Sequence, residues 1–246
     1  QAYIDEAKEK NLRMSGWNLF LQYAMANPLT YLGLAGYWSM NRTGSGTVLD
    51  LSKNGNTGTL KPSWPSDSPQ YVVSKNKKML NALDFDGLND YVDCGTSQSL
   101  NFIDALTVEC WFNIKDFSPT WQHFVGRVPT LQHIRIRYQL VIRMNNVWFY
   151  IGNGVTGVRV EASNLSPNRY YHVAGVYEKD VKHEIYLNGV LKGANYPPRR
   201  TLISGGSNSF RIGGVPYYLD GAVDEVRAYN RALSAAEILN LYNLFK

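Results

Sequence analysis

The chain has 246 residues, of which 44% are hydrophobic, 13% aromatic and only 18% charged. That supplies one full core in a single main domain, and the low charge with abundant Tyr, Asn, Gly and Ser suits many strands joined by polar turns. A formal net charge of +5 favours acidic partners, but no Lys/Arg block forms a nucleic-acid arm, and no run of about 18 apolar residues could span a bilayer.

Residues 1–33 read as a helical N-terminal segment or a linker from an upstream region. Ile4, Ala7, Leu12, Phe20, Tyr23 and Ala24 lie among helix formers without strand-type alternation. Ser15 and Gly16 would interrupt the helices, and Asn27 before Pro28 would end them. No signal peptide is visible, and because the chain begins at Gln1 this says nothing about targeting.

From about residue 34 to 246 the pattern becomes short strands between clusters of Gly, Asn, Asp, Ser and Pro, as in a sandwich or barrel. Leu106, Val108, Cys110, Phe112 and Ile114 alternate with Thr107, Glu109, Trp111, Asn113 and Lys115, so one strand face is apolar and the other mixed. Further strands are expected at 133–143, 146–152, 170–177 and 181–187, the last followed by the turn pair Asn188 and Gly189. A C-terminal helix should start at Ser234, with Glu237 as its capping-box partner before Ile238, Leu239 and Leu241. Cys94 and Cys110 both sit in apolar strand contexts and read as buried thiols rather than a disulfide framework.

The segments Gly36–Trp38, Asp50–Leu60, Leu83–Val92, Leu106–Trp111, Tyr171–Ala174, Ile185–Gly189 and Leu219–Leu233, in this order, resemble the laminin G-like jelly rolls of the concanavalin A-like lectin and glucanase superfamily. The resemblance covers residues 34–246. It implies an all-β, two-sheet antiparallel jelly-roll β-sandwich, with the helical segments at either end as additions. It does not by itself fix a function, since such folds carry lectins, adhesion modules, hydrolases and structural domains.

The glucanase relatives place paired carboxylates along one strand at a fixed short spacing. Here the nearest string, Glu178, Asp180 and Glu184, is one residue too long, and the resemblance puts it across a hairpin turn. Among His123, His133, His172 and His183 no pair has the spacing of a helical zinc site. The resemblance makes His172 a hydrogen-bonded structural histidine, and no catalytic residue is named.

Sugar recognition needs exposed aromatic rings beside polar groups. Glu109, Trp111 and Asn113 offer such a face on one strand, Trp148 and Tyr150 on another, and Trp121 lies in a loop-like stretch after Pro119. Arg135, Arg137 and Arg143 share a strand face with Gln139 and could grip an acidic glycan. The competing explanation is that Trp111 and Trp148 pack under covering segments and the arginines form a solvated stripe. Trp38 and Trp64 look structural. The resemblance also implies a structural calcium ion, with Asp224 the first choice of ligand and Asp86 the second; alternatively Asp86 caps the turn at Gly87 and Asp224 bonds backbone amides.

The expected function is a non-catalytic carbohydrate-recognition or adhesion module within a larger extracellular, cell-surface or virion-surface protein. The alternative is a structural domain making protein contacts in an assembly without a sugar ligand, and an unusual glycoside hydrolase stands third.

Overall fold

The computed structural model describes residues 31–41, 46–62, 67–73, 81–118, 120–127, 137–152, 157–196, 208–214 and 217–246. The helices expected in residues 1–30 lie outside these, as do Trp64, His133 and Arg135.

Two antiparallel sheets of eight strands each form the sandwich. The first runs through β14 (Val190–Asn195), β13 (Lys182–Leu187), β12 (Tyr170–Glu178) and β7 (Ala105–Ile114). It continues through β16 (Asp220–Tyr229), β5 (Asn81–Asp86) and β4 (Gln70–Val73), and β1 (Leu34–Trp38) also pairs with β16. The second runs through β11 (Gly157–Ala162), β10 (Asn146–Gly152), β9 (Tyr138–Arg143) and β8 (Trp121–Arg127). It ends with β15 (Phe210–Ile212), β6 (Tyr91–Asp93), β3 (Gly58–Lys61) and β2 (Thr47–Val48).

The core between the sheets follows the period of two that a half-buried strand imposes. Leu106, Val108, Cys110 and Phe112 of β7 meet Val147, Phe149 and Ile151 of β10 in one buried cluster. Trp38 stacks on Phe210 at 4.9 Å between ring centroids and donates its indole N–H to the Asn56 carbonyl at 2.8 Å, a structural role as expected. Cys94 and Cys110 are free and buried in the same core.

One irregularity decides what the first sheet shows on its outside. Asp224 stands opposite Trp111 and Arg227 opposite Glu109, so three residue steps on β16 answer two on β7. This β-bulge, with Glu225 at φ 53°, flips the alternation and lets both Asp224 and Arg227 face outward beside the β7 positions Glu109 and Trp111.

Helix α1 (Ala235–Phe245) starts at the expected place: the Ser234 hydroxyl accepts from the Glu237 N–H, and the Glu237 carboxylate accepts from the Ser234 N–H. Arg231 fixes the same carboxylate at 2.6 Å and donates to the Leu32 carbonyl. The helix buries Ile238, Leu241 and Phe245 and lays them on the outer face of the first sheet.

Candidate functional site

The outer face of the first sheet is closed over Glu109, Trp111 and Arg227. Trp111 is 4% exposed, stacked on Tyr242 of α1 at 5.6 Å and tilted against His172 at 5.6 Å. Glu109 is fully buried, accepting from Arg227 Nη1 at 2.7 Å and bonded to His172 Nε2 at 2.7 Å. Arg227, also fully buried, pairs with the Glu225 carboxylate and lies between the Tyr37 ring, 4.2 Å away, and the Phe245 ring, 5.6 Å away. The Tyr37 hydroxyl donates to Glu225 at 2.6 Å. The expectation that Glu109 and Trp111 meet a sugar is therefore corrected: the chain's own helix covers them, and Asn113 remains only half-buried at the strand end without them. His172 is the hydrogen-bonded structural histidine that the sequence suggested.

Burial raises every carboxylate in this network, and neighbours decide the outcome. Glu109 feels that desolvation, yet Arg227 and His172 bring it below its usual range. For Glu225 burial outweighs Arg227 and Tyr37 and pushes it up to about 7. Asp224 rises well above the carboxylate range through burial and the adjacent Glu225.

The outer face of the second sheet carries the other predicted residues. Trp121 lies in β8 rather than a loop, pairs with Arg143 of β9, and Val141 pairs with Trp148 of β10. The Arg143 guanidinium carbon stands 4.9 Å from the Trp121 ring and 5.0 Å from the Trp148 ring. Arg159 of β11 stands 3.9 Å from Trp148, and the two indoles meet edge to face at 5.2 Å. Tyr217 stacks on Trp121 at 6.3 Å. Tyr150 lies half-buried across Gly157, where a Cβ would overlap its ring. Arg137 sits one residue before β9 in the outward register of Gln139 and Arg143, held by its N–H to the Arg127 carbonyl.

This cluster differs from a simple stacking platform. Trp148 is 5% exposed, so no open indole face remains for a sugar ring. Two guanidiniums lie over it instead, each such contact contributing about 0.5–2 kcal/mol. Arg159 keeps a side chain 47% exposed and a loose pair with Glu161 at 3.8 Å. The sequence reading missed Arg159 and Tyr217. Arg159 was legible as an outward position, since Val158, Val160 and Ala162 alternate with it and Glu161.

The implied calcium ligands do not come together. Asp86 pairs with Asp220, four residues before Asp224 on β16, which separates the two by roughly 13 Å at 3.3 Å per residue, too far to share an ion. Asp86 accepts from the Leu88 N–H at 2.8 Å in its turn, and Asp224 accepts from the Glu225 N–H at 2.8 Å. Among the described residues no group of three or more His, Cys, Asp or Glu is placed to hold a metal. Glu178 and Glu184 flank the β12–β13 hairpin, where Glu184 accepts from the Tyr186 hydroxyl at 2.9 Å.

A family model described as the concanavalin A-like lectin/glucanases superfamily matches residues 85–239. Comparison with the curated proteins gives no match. Among solved structures, the binding domain of Paraclostridial mosquitocidal protein 1 superposes with a TM-score of 0.69 at 15% identity, covering 87% of this chain and 52% of that one. The botulinum neurotoxin serotype D ligand-binding domain in complex with N-acetylneuraminic acid gives 0.68 at 13% identity, covering 89% and 52%. A botulinum neurotoxin type C structure, described as entering cells through two ganglioside molecules, gives 0.66 at 12% identity, covering 89% and 53%. These likenesses establish the jelly-roll sandwich. The chain spans about half of each of these structures, so the match does not assign their ligands to the shared half.

Proposed function

We propose, from the premise that the chain belongs to the concanavalin A-like lectin/glucanases superfamily, that it is a non-catalytic module binding acidic carbohydrate on the outer face of its second sheet. The observation that carries this reading is Arg143 lying over both Trp121 and Trp148 while Arg159 lies over Trp148. Two guanidiniums placed over one indole are pre-organised donors for a carboxylate or sulfate, and charge-assisted hydrogen bonds are worth about 1.5–3 kcal/mol each. Tyr150 and the half-buried Trp121 supply ring surface beside them. That a structural neighbour is complexed with N-acetylneuraminic acid, a carboxylated sugar, supports the same ligand class. The setting that suits such a module is a larger extracellular, cell-surface or virion-surface protein.

A protein-contact role is the second reading, favoured by the edge strand β14, where Val190, Leu191 and the following Tyr196 are 53%, 43% and 59% exposed. An array of sialylated and sulfated glycans beside their neutral counterparts tests the first. Binding restricted to the acidic members, and weakened at least tenfold in the Arg143→Ser, Arg159→Ser double variant, is expected. Binding that ignores both arginines, or none to any acidic glycan, would overturn it in favour of the protein-contact reading.

A further inference from the structure

The same sheet face carries a second recess, three strands away from Arg143. β9 is followed across the sheet by β8, β15 and β6, so at about 4.8 Å per strand the recess lies roughly 14 Å from that cluster. Its volume is about 410 Å³, within the range of small-molecule sites and large enough for a sugar ring. Thr59 of β3 stands opposite Asp93 of β6, and Asp93 opposite Arg211 of β15, all in outward register.

The walls are built and rigid. Asn56, 2% exposed, donates to the Ala35 carbonyl at 2.8 Å and to Ser99 Oγ at 2.9 Å, while its N–H donates to Asp50 at 2.8 Å. On the opposite wall the Phe210 N–H donates to the Gly95 carbonyl at 2.8 Å, the Arg127 guanidinium donates to the Thr96 carbonyl at 3.1 Å, and Gly95 donates to Asp93 Oδ1 at 2.9 Å. Gly55 and Gly95 on its lining both turn at φ 76°, and a Cβ at either would meet nothing within 4 Å.

Part of the lining is polar and uncommitted. The hydroxyls of Thr57, Thr59 and Thr96 and the Lys61 ammonium have no partner among the described residues. Among the described residues Asp93 Oδ2 keeps only a distant contact, with Arg211 Nε at 3.9 Å. Hydroxyl donors and acceptors with one ammonium and one carboxylate balance to no net charge. We infer that this recess is a second binding site, for a neutral polyhydroxylated ligand of about one sugar unit. It offers donors and acceptors in pairs, as adjacent sugar hydroxyls require, without the paired cations that would select an anion. It stands independently of the acidic site, and together the two would give one sheet face two subsites.

Titration of the full ¹⁵N-labelled chain with methyl mannoside, methyl galactoside and methyl N-acetylglucosaminide, followed by amide shifts, tests it. Saturable shifts at Gly55–Thr59 and Asp93–Ser97 are expected for at least one glycoside, with a millimolar dissociation constant. Thr59→Trp, at an exposed strand position that tolerates a large ring, should abolish them by filling the recess, and Thr57→Val with Thr96→Val should weaken them at least fivefold. The Arg143→Ser, Arg159→Ser variant should leave them unchanged, which separates failure here from failure of the acidic site. No saturable shift at these amides with any of the three glycosides, or shifts that persist when Thr59 is tryptophan, would overturn the assignment.

Discussion

On the outside of the first sheet Arg227 is locked between Glu109 and Glu225 and roofed by Phe245; on the outside of the second, Arg143 and Arg159 lie on Trp148, and among the described residues the one carboxylate paired with either is Glu161. Both faces present arginine, carboxylate and tryptophan at outward strand positions. They differ in what covers them. Helix α1 brings Tyr242 and Phe245 onto the first face, which turns its polar groups into a satisfied buried network. A buried arginine with its carboxylates paired is structural, whereas a half-exposed guanidinium pinned by an indole has donors left over.

The largest expected effects lie on the closed face. Arg227→Met should cost about 3–5 kcal/mol in urea denaturation, because it leaves two buried carboxylates without their cation. Trp111→Ala should cost a similar ~3–5 kcal/mol, as for a deleted core aromatic. A loss below about 1 kcal/mol for Trp111→Ala would mean that the helix does not seal this face, and the contrast between the faces would break.

Next comes the open face, where Arg143→Ser with Arg159→Ser should weaken acidic-glycan binding by about 1.5–3 kcal/mol while the unfolding free energy changes by less than about 1 kcal/mol. Calorimetry and denaturation on the same samples give both numbers. A large stability loss with unchanged binding would make the second face structural too.

The charge network on the closed face also predicts a pH dependence. Glu225 is raised from 4.5 to about 7 by burial, so its contribution is fully present below the unfolded value and is lost as pH rises through the folded one. Glu109, lowered below 4.5, acts oppositely, and its contribution is lost only as pH falls beneath that value. Between about pH 4.5 and 7, Glu225→Gln should therefore flatten a decline in stability with pH, measured by chemical denaturation at several pH values. An unchanged slope would show that Glu225 does not titrate in that window.

The smallest effect concerns the roof. Ser234→Ala removes the helix cap that accepts from the Glu237 N–H and should cost about 1 kcal/mol, seen as faster amide exchange in α1 and next to Trp111 but not next to Trp148.

Much of this was legible in the sequence. The alternation in 105–114 marked β7 and its inward face, the Ser234 and Glu237 spacing marked the helix start, and the ordered segments marked the sandwich. The state of the outward faces was not legible, because strand alternation separates two sides without saying what lies on the outer one. Trp111 and Trp148 have the same local pattern, and only the destination of the distant C-terminal helix distinguishes them. One signal was available: Ile238, Leu241, Tyr242 and Phe245 form an apolar stripe that must bury itself somewhere. The β16 bulge was hidden, since regular strand alternation puts Asp224 and Arg227 on opposite faces. Arg135 lies outside the described residues.

The most direct test places both faces in one spectrum. The indole N–H groups of Trp111 and Trp148 are both buried without a hydrogen-bond partner among the described residues, and each can be assigned by its Trp→Phe variant. On titration with 3′-sialyllactose the Trp148 indole signal should shift saturably while the Trp111 signal stays fixed, and the shift should vanish in the Arg143→Ser, Arg159→Ser variant. A shift at Trp111 with none at Trp148 would contradict the assignment of the binding face, and no shift at either would contradict acidic-sugar binding at this cluster.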